Sequence, residues 1–190
     1  MSLSVSQLFF NELYSETKPE VFAKASKIKL LICDIDGVFS DGRIYLGNQG
    51  EELKAFHTKD GFGIKSLVSN DIQVAVITGR HSKIVESRMQ SLSVEHIYQG
   101  QENKLLAFNE LKRKLMLENY EIAYIGDDSP DIPVMECVGL AVATFDAHPL
   151  VKRLADYQTN MLGGFGAVRE LTDLIMLSQD IPLSHQGSSS

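Results

Sequence analysis

Five short runs of mostly apolar residues, rich in Val, Ile, Leu and Ala, recur along this 190-residue chain, with helical patterns between them. The runs are IKLLICD (28–34), IQVAVIT (72–78), VEHIYQ (94–99), EIAYIGD (121–127) and GLAVAT (139–144). Apolar periodicity of the helical kind occupies 61–70, 81–91, 103–117, 130–137 and 147–154, and a last helix follows at 165–178. A run that is apolar at nearly every position leaves no face for water, so it fits a strand covered on both sides. Strands of that kind alternating with helices predict an α/β fold, a doubly wound parallel sheet of Rossmann-like layout. Residues 3–25 add an amphipathic helical pattern through Leu8, Phe9, Leu13, Val21 and Phe22, interrupted by Pro19. The expected organisation is an N-terminal helical extension (1–27), one α/β domain (28–180) and a small polar tail (181–190) with the composition of a disordered end.

One segment breaks the alternation. GRIYLGNQGEELKAFH (42–57) follows the first run directly and reads as two strands around a GNQG turn. Ile44 and Leu46 alternate with Arg43 and Tyr45; Leu53 and Ala55 alternate with Glu52, Lys54 and Phe56. This predicts a β-hairpin flap. No later segment is long enough for an inserted cap domain.

Charge narrows the partners. Lys plus Arg number 18 and Asp plus Glu 25, so the net charge is 18 − 25 = −7. That argues against nucleic acid or an anionic membrane as the main partner, and leaves room for a phosphorylated small molecule held by local cations. The two cysteines, Cys33 and Cys137, form neither a metal spacing nor a disulfide framework, which fits a reducing compartment. The N-terminus lacks the basic start and apolar run of a signal peptide, and no apolar run reaches membrane-spanning length. The expectation is a cytoplasmic protein.

Four of the runs end in groups suited to chemistry. The first ends in Asp34-Ile35-Asp36-Gly37, the second in Thr78-Gly79-Arg80, and the fourth in Gly126-Asp127-Asp128-Ser129-Pro130-Asp131. The third leads to Gly100-Gln101-Glu102-Asn103-Lys104. Ligands of a doubly wound sheet bind beyond the carboxyl ends of the strands, where all four would meet. Asp34 and Asp36, spaced by two, point the same way on an extended chain. With Asp127 beside them they would repel unless a cation sat between them, and hard oxygen ligands suit Mg²⁺. Any one of these aspartates alone reads as well as a turn or helix cap; the ordered set does not.

The ordered set DIDGV (34–38), Thr78 in ITGR, Lys104 in QGQENK and GDDSPD (126–131) resembles the phosphatases of the haloacid dehalogenase-like superfamily. The resemblance implies that Asp34 attacks phosphorus and carries an aspartyl-phosphate, and that Asp36 protonates the leaving oxygen and then activates water. It implies that Thr78 and Lys104 hold the phosphoryl oxygens. Mg²⁺ would be bound by Asp34, Asp127 and the backbone carbonyl of Asp36, with Asp128 and Asp131 supporting the metal shell and Lys104. The hairpin, KDGFGIKSL (59–67), IYQGQ (97–101), AYIGDDSPDIPVM (123–135), DAHPLV (146–151), ADYQT (155–159) and GGFGAVRELTDLIM (163–176) are more closely similar to the 3-deoxy-D-manno-octulosonate 8-phosphate phosphatase family. That resemblance implies a Mg²⁺-dependent phosphomonoesterase of lipopolysaccharide precursor synthesis, and a homotetramer built around the hairpin. Two positions depart from the family pattern: Lys59 and Phe165 each stand where an arginine is usual. Two other readings stand beside it, a phosphatase for a nine-carbon keto-deoxy sugar acid 9-phosphate and a non-catalytic binding module of the same fold.

Substrate contacts are expected from Gly37, Thr78, Gly79, Arg80, Arg88, Lys59 and Lys104. Arg80 and Arg88 in particular could pair bidentately with a sugar-acid carboxylate, although both also read as a solvated helix face. His57, His81, His96 and His148 show no metal-ligand spacing, and His148-Pro149 reads as a helix start. The Gly163-Gly164-Phe165-Gly166 run reads either as an anion cradle at a helix N-terminus or as a plain turn.

Overall fold

The structure is a computed structural model and describes Tyr14 and residues 17–183. Its elements are α1 (Pro19–Ala25), β1 (Leu30–Cys33), β2 (Tyr45–Leu46), β3 (Glu52–Leu53), α2 (Thr58–Val68), β4 (Gln73–Ile77), α3 (Lys83–Ser91) and β5 (His96–Tyr98). They continue with α4 (Lys104–Leu115), β6 (Ile122–Gly126), α5 (Ile132–Met135), β7 (Leu140–Ala143), α6 (Pro149–Leu154), β8 (Tyr157–Gln158) and α7 (Ala167–Ser178).

Six strands form one parallel sheet in the order β5-β4-β1-β6-β7-β8. Successive side chains of a strand point to opposite faces, and here both faces are apolar. Leu31 and Cys33 join Val74, Val76 and Ile125 in a core shared with α1, α2, α3 and α7. Leu30 and Ile32 join Ala75, Ile77 and Tyr124 in a second core shared with α4, α5 and α6. Each fully buried Leu or Ile contributes roughly 1.5–3 kcal/mol, so a one-residue slip in either direction gains nothing and the register Leu31↔Val74, Leu31↔Ala123 is held from both sides. The chain runs from β1 outward through β4 to β5, then returns across α4 to β6 on the other flank of β1. That reversal opens a crevice at the carboxyl end of β1.

The doubly wound fold agrees with the sequence reading, and the differences are local. β8 was not foreseen as a strand, because two residues show no periodicity. α2 begins at Thr58 rather than 61: the His57 side chain accepts the Lys59 N–H at 3.1 Å and caps it. Gly61 and Gly63 lie inside this helix where neighbours come close; a Cβ would meet Arg88 Nη2 at 2.4 Å and Thr172 Oγ1 at 2.2 Å. α1 starts at Pro19; Tyr14, Thr17 and Lys18 are not helical, and Leu8, Phe9 and Leu13 of the N-terminal helical pattern lie outside the described residues. Ile181 and Leu183, assigned to the tail on composition, pack against the core; 184–190 lie outside the described residues.

The hairpin exists but is shorter than 42–57, with Tyr45 opposite Leu53 and Leu46 opposite Glu52. Its charged side chains are the covered ones. Leu46 is 70% exposed and Leu53 65%, whereas the Lys54 side chain is 2% exposed and Glu52 is partly covered. Leu46 pairs with Glu52 and Leu53 with Tyr45, so each face of the hairpin carries one exposed leucine. No helix among the described residues is long and apolar enough to cross a membrane.

Candidate active site

β1 stops at Cys33, and Asp34 follows at the mouth of the crevice, buried. Thr78 follows β4, is also buried, and donates its N–H to Tyr98 O at 2.9 Å. Lys104 opens α4, whose cap is the Asn103 side chain accepting from Leu105 N–H at 3.1 Å. Asp127 follows β6. Four strand ends therefore bring these residues around one cavity of about 430 Å³, which Asp36, Gly79, Arg80, Asp128 and Asp131 also line. A cleft of similar size between Val21 and Tyr157 offers no such convergence: its Asp156 is paired with Lys24, and Tyr157 donates to Glu170.

Asp131 is the hub. Its Oδ1 accepts from Lys104 Nζ at 2.7 Å and from the Tyr124 hydroxyl at 2.6 Å. Its Oδ2 accepts the N–H groups of Asp127 at 2.9 Å and Asp128 at 3.1 Å. Lys104 Nζ also stands 2.8 Å from Asp34 Oδ1, so one ammonium bridges two buried carboxylates. Burial pulls the Lys104 ammonium down, but Asp34 and Asp131 outweigh it and leave Lys104 above its ordinary value.

Too much negative charge remains for one lysine. Burial, opposed by Lys104, holds the Asp34 carboxyl above the usual carboxylate range. Burial, then the charges of Asp34 and Asp131, push Asp127 up to about 8. Asp127 Oδ1 is buried with no hydrogen-bond partner, and Asp34 Oδ1 has only the Lys104 ammonium. Oxygens of Asp34, Asp127 and Asp131 lie within 4.8 Å of one another. Carboxylate oxygens at that spacing, one of them without a partner, fit a hard divalent cation such as Mg²⁺. Asp131 is the least suited of the three as a ligand, since four donors already occupy it.

Asp36 differs from the simple picture of three converging carboxylates. Its side chain is outside the cluster of Asp34, Asp127 and Asp131, accepting from the Lys54 ammonium and from Ser40 Oγ at 3.3 Å, with Arg80 Nε at 3.8 Å. Any part for Asp36 in the metal shell thus falls to its backbone, as the family resemblance implies. Gly37 sits at φ +92°, and a Cβ there would meet Asp127 Oδ2 at 2.1 Å, so only glycine lets this loop pass. Asp128 caps the turn after Asp127 by accepting the Ser129 N–H at 2.7 Å.

Two expected side-chain contacts, Arg88 and Lys59, are not at this cavity, and Gly37 is not among the residues that line it. Arg88 lies under α2, its guanidinium against Gly61, and Lys59 lines a separate cleft with Arg169 and Glu170. The Gly163-Gly164 run is a packing turn here. Its amides donate to Asp146 Oδ1 at 2.9 Å and Val38 O at 2.8 Å, and the N–H of Arg169 in the first turn of α7 donates to Asp60 at 2.8 Å. His148 caps α6 by accepting from Leu150 N–H at 3.2 Å, as its His-Pro context suggested. Gln101 and Glu102 line the cavity without having been singled out. Lys54 was missed as well; the one signal was its place on the same side of β3 as Glu52, two residues away.

A model of haloacid dehalogenase-like hydrolases matches residues 87–162. The 3-deoxy-D-manno-octulosonate 8-phosphate phosphatase of Escherichia coli strain K12 is 55% identical over 166 residues, 87% of this chain and 88% of its own. The crystal structure of that phosphatase from Yersinia pestis superimposes with a TM-score of 0.85 at 56% identity, over 85% of this chain and 88% of the other. The Moraxella catarrhalis phosphatase, in complex with magnesium ion, phosphate ion and a KDO molecule, gives 0.83 at 41% identity, over 85% and 92%. With sequence identity above one half along most of both chains, and with the acidic strand ends in place, the chain belongs to the 3-deoxy-D-manno-octulosonate 8-phosphate phosphatase family of haloacid dehalogenase-like hydrolases.

Proposed function

We propose that the chain is a Mg²⁺-dependent phosphomonoesterase that hydrolyses 3-deoxy-D-manno-octulosonate 8-phosphate to the sugar acid and phosphate, in lipopolysaccharide precursor synthesis. The observation that carries this reading is Lys104 bridging Asp34 and Asp131 beside the unpartnered Asp127 Oδ1, in a cavity on the strand ends. Asp34 and Asp127, with the backbone carbonyl of Asp36, would hold Mg²⁺, which supplies charge neutralisation to the transferring phosphoryl group.

The residues then divide the work. Lys104 and Thr78 hold the phosphoryl oxygens. The Asp34 carboxylate attacks phosphorus, the ester bond breaks, and Asp36 gives a proton to the departing sugar oxygen. The aspartyl-phosphate is cleaved when Asp36 takes a proton from water, and water oxygen bonds to phosphorus. Arg80, which lines the cavity, would meet the sugar-acid carboxylate. Lys59, at a separate cleft, could reach substrate only in a neighbouring subunit's cavity, and Arg88 packs within its own subunit. A cytoplasmic location is supported by the free cysteines Cys33 and Cys137.

The test is phosphate release from the eight-carbon substrate, a nine-carbon keto-deoxy sugar acid 9-phosphate and simple phosphomonoesters. The highest kcat/KM is expected on the eight-carbon compound, lost in EDTA and regained with Mg²⁺. Preference for the nine-carbon compound would move the substrate assignment, full activity in EDTA would remove the metal, and no release from any compound would leave a binding module.

A further inference from the structure

Lys54 belongs to the hairpin, yet its side chain is 2% exposed. An ammonium taken out of water costs several kcal/mol unless a charge or several acceptors receive it. Here it is received by Asp36 Oδ1, the carboxylate to which the proposed reaction assigns both proton transfers. Glu52, on the same side of β3, lies 3.9 Å from the same ammonium and 3.4 Å from Arg80 Nη2. Arg80 Nε stands 3.8 Å from Asp36 Oδ2. The hairpin is therefore joined to the loop after β1 and to the end of β4 by four charges, centred on Asp36.

The four contacts are unequal. Arg80 is about half exposed, so its long contact to Asp36 is screened and worth little. Ser40 Oγ, at 3.3 Å, is a weak donor to the same oxygen that Lys54 reaches. Without the ammonium, the Asp36 carboxyl would keep only those two contacts and would be free to turn about its side-chain bonds. Proton transfer depends on an oxygen held within hydrogen-bond reach of the leaving group, so this freedom bears on rate more than on binding.

We infer that Lys54 is a positioning residue, acting through Asp36, by which the hairpin aims the acid–base carboxyl at the scissile oxygen. The inference rests on the phosphatase reading and is tested separately from it. Lys54→Met keeps the aliphatic stem and removes the ammonium. On the eight-carbon sugar acid phosphate, kcat/KM should fall by roughly 10–10²-fold, a part of the 10²–10⁴ that a positioned acid supplies. On p-nitrophenyl phosphate, whose leaving group needs little protonation, the fall should be under about threefold, because kcat/KM ends at release of the alcohol. In an Asp36→Asn background, Lys54→Met should cause no further loss on either substrate. Equal losses on both substrates, or the same loss with and without Asp36, would overturn the inference and make Lys54 a substrate contact or a plain structural residue. If melting curves show that Lys54→Met does not fold, Lys54→Gln, a neutral donor, is read by the same comparison. A wild-type protein that releases phosphate from neither compound refutes the phosphatase reading itself, before any variant is compared.

Discussion

At the residue scale, the legible part of the site was the part fixed by strand ends. Asp34, Thr78 and Asp127 each close an apolar run, and Lys104 opens the helix after another, so strand order alone brings them together. Asp34→Asn should abolish phosphate release while leaving the melting transition in place, because an amide cannot act as an anionic nucleophile; turnover by the folded variant would refute the covalent route. Tyr124 was illegible for the opposite reason. In the sequence it is one more apolar strand residue, and its hydroxyl matters only because Asp131 folds back onto it at 2.6 Å. Tyr124→Phe removes one of two donors to Asp131 Oδ1 in a fully buried setting and should cost about 1–2 kcal/mol in urea unfolding. It should also lower kcat, since the same oxygen holds Lys104; unchanged stability and rate would show that the three remaining donors suffice to orient Asp131. Lys59 and Arg88 mark where motif proximity misleads: Lys59 lines a separate cleft and Arg88 packs under α2.

At the element scale, the contact between α2 and α7 organises the far side of the site. Asp60 is fully buried in α2 and accepts the Arg169 N–H of α7 at 2.8 Å, while its Oδ2 has no hydrogen-bond partner. Burial, partly offset by the Arg169 N–H bond, pushes its carboxyl from 3.8 to about 6. A carboxyl whose folded value is raised favours folding in its protonated form. Its contribution is complete below the unfolded value and is lost as pH rises through about 6. The span of about two pH units corresponds to roughly 3 kcal/mol. Asp60→Asn keeps an acceptor for Arg169 and removes the charge, so the variant should lack this loss between pH 4 and 7 in urea unfolding; parallel wild-type and variant curves would show that Asp60 is not the group responsible. The same region carries the Gly163-Gly164 turn, which lies on the loop bearing Asp36: a Cβ on Gly163 would stand 1.8 Å from Gly37 O. Gly163→Ala should therefore displace that loop and lower kcat. Sequence could offer these glycines only as turn or cradle, because the backbone they approach is more than a hundred residues away.

At the scale of the whole molecule, the hairpin raises a problem that one subunit does not solve. Two-residue strands with a five-residue connection are marginal in water by themselves. Glu52 and Lys54 of this hairpin engage Asp36 and Arg80, while Ile44 and Leu46 on one face and Leu53 on the other stay exposed. Covering each leucine would contribute about 1.5–2 kcal/mol, and a stable interface needs roughly 1,200–2,000 Å² in total. Three side chains on one hairpin do not reach that area, but hairpins from several subunits packed about a symmetry axis, with the exposed Phe165 region beside them, can. The same packing would close the open mouth of the cavity, excluding water from a phosphoryl-transfer site that has no cap domain. Light scattering at micromolar concentration should give a mass near four times the 21.1 kDa of the chain. Leu46→Ser combined with Leu53→Ser should shift that mass downward and raise KM, with the melting of the α/β body little changed, because neither side chain touches its core. A fully active species at 21.1 kDa would refute the assembly, and it would leave the outward leucines without a physical reason.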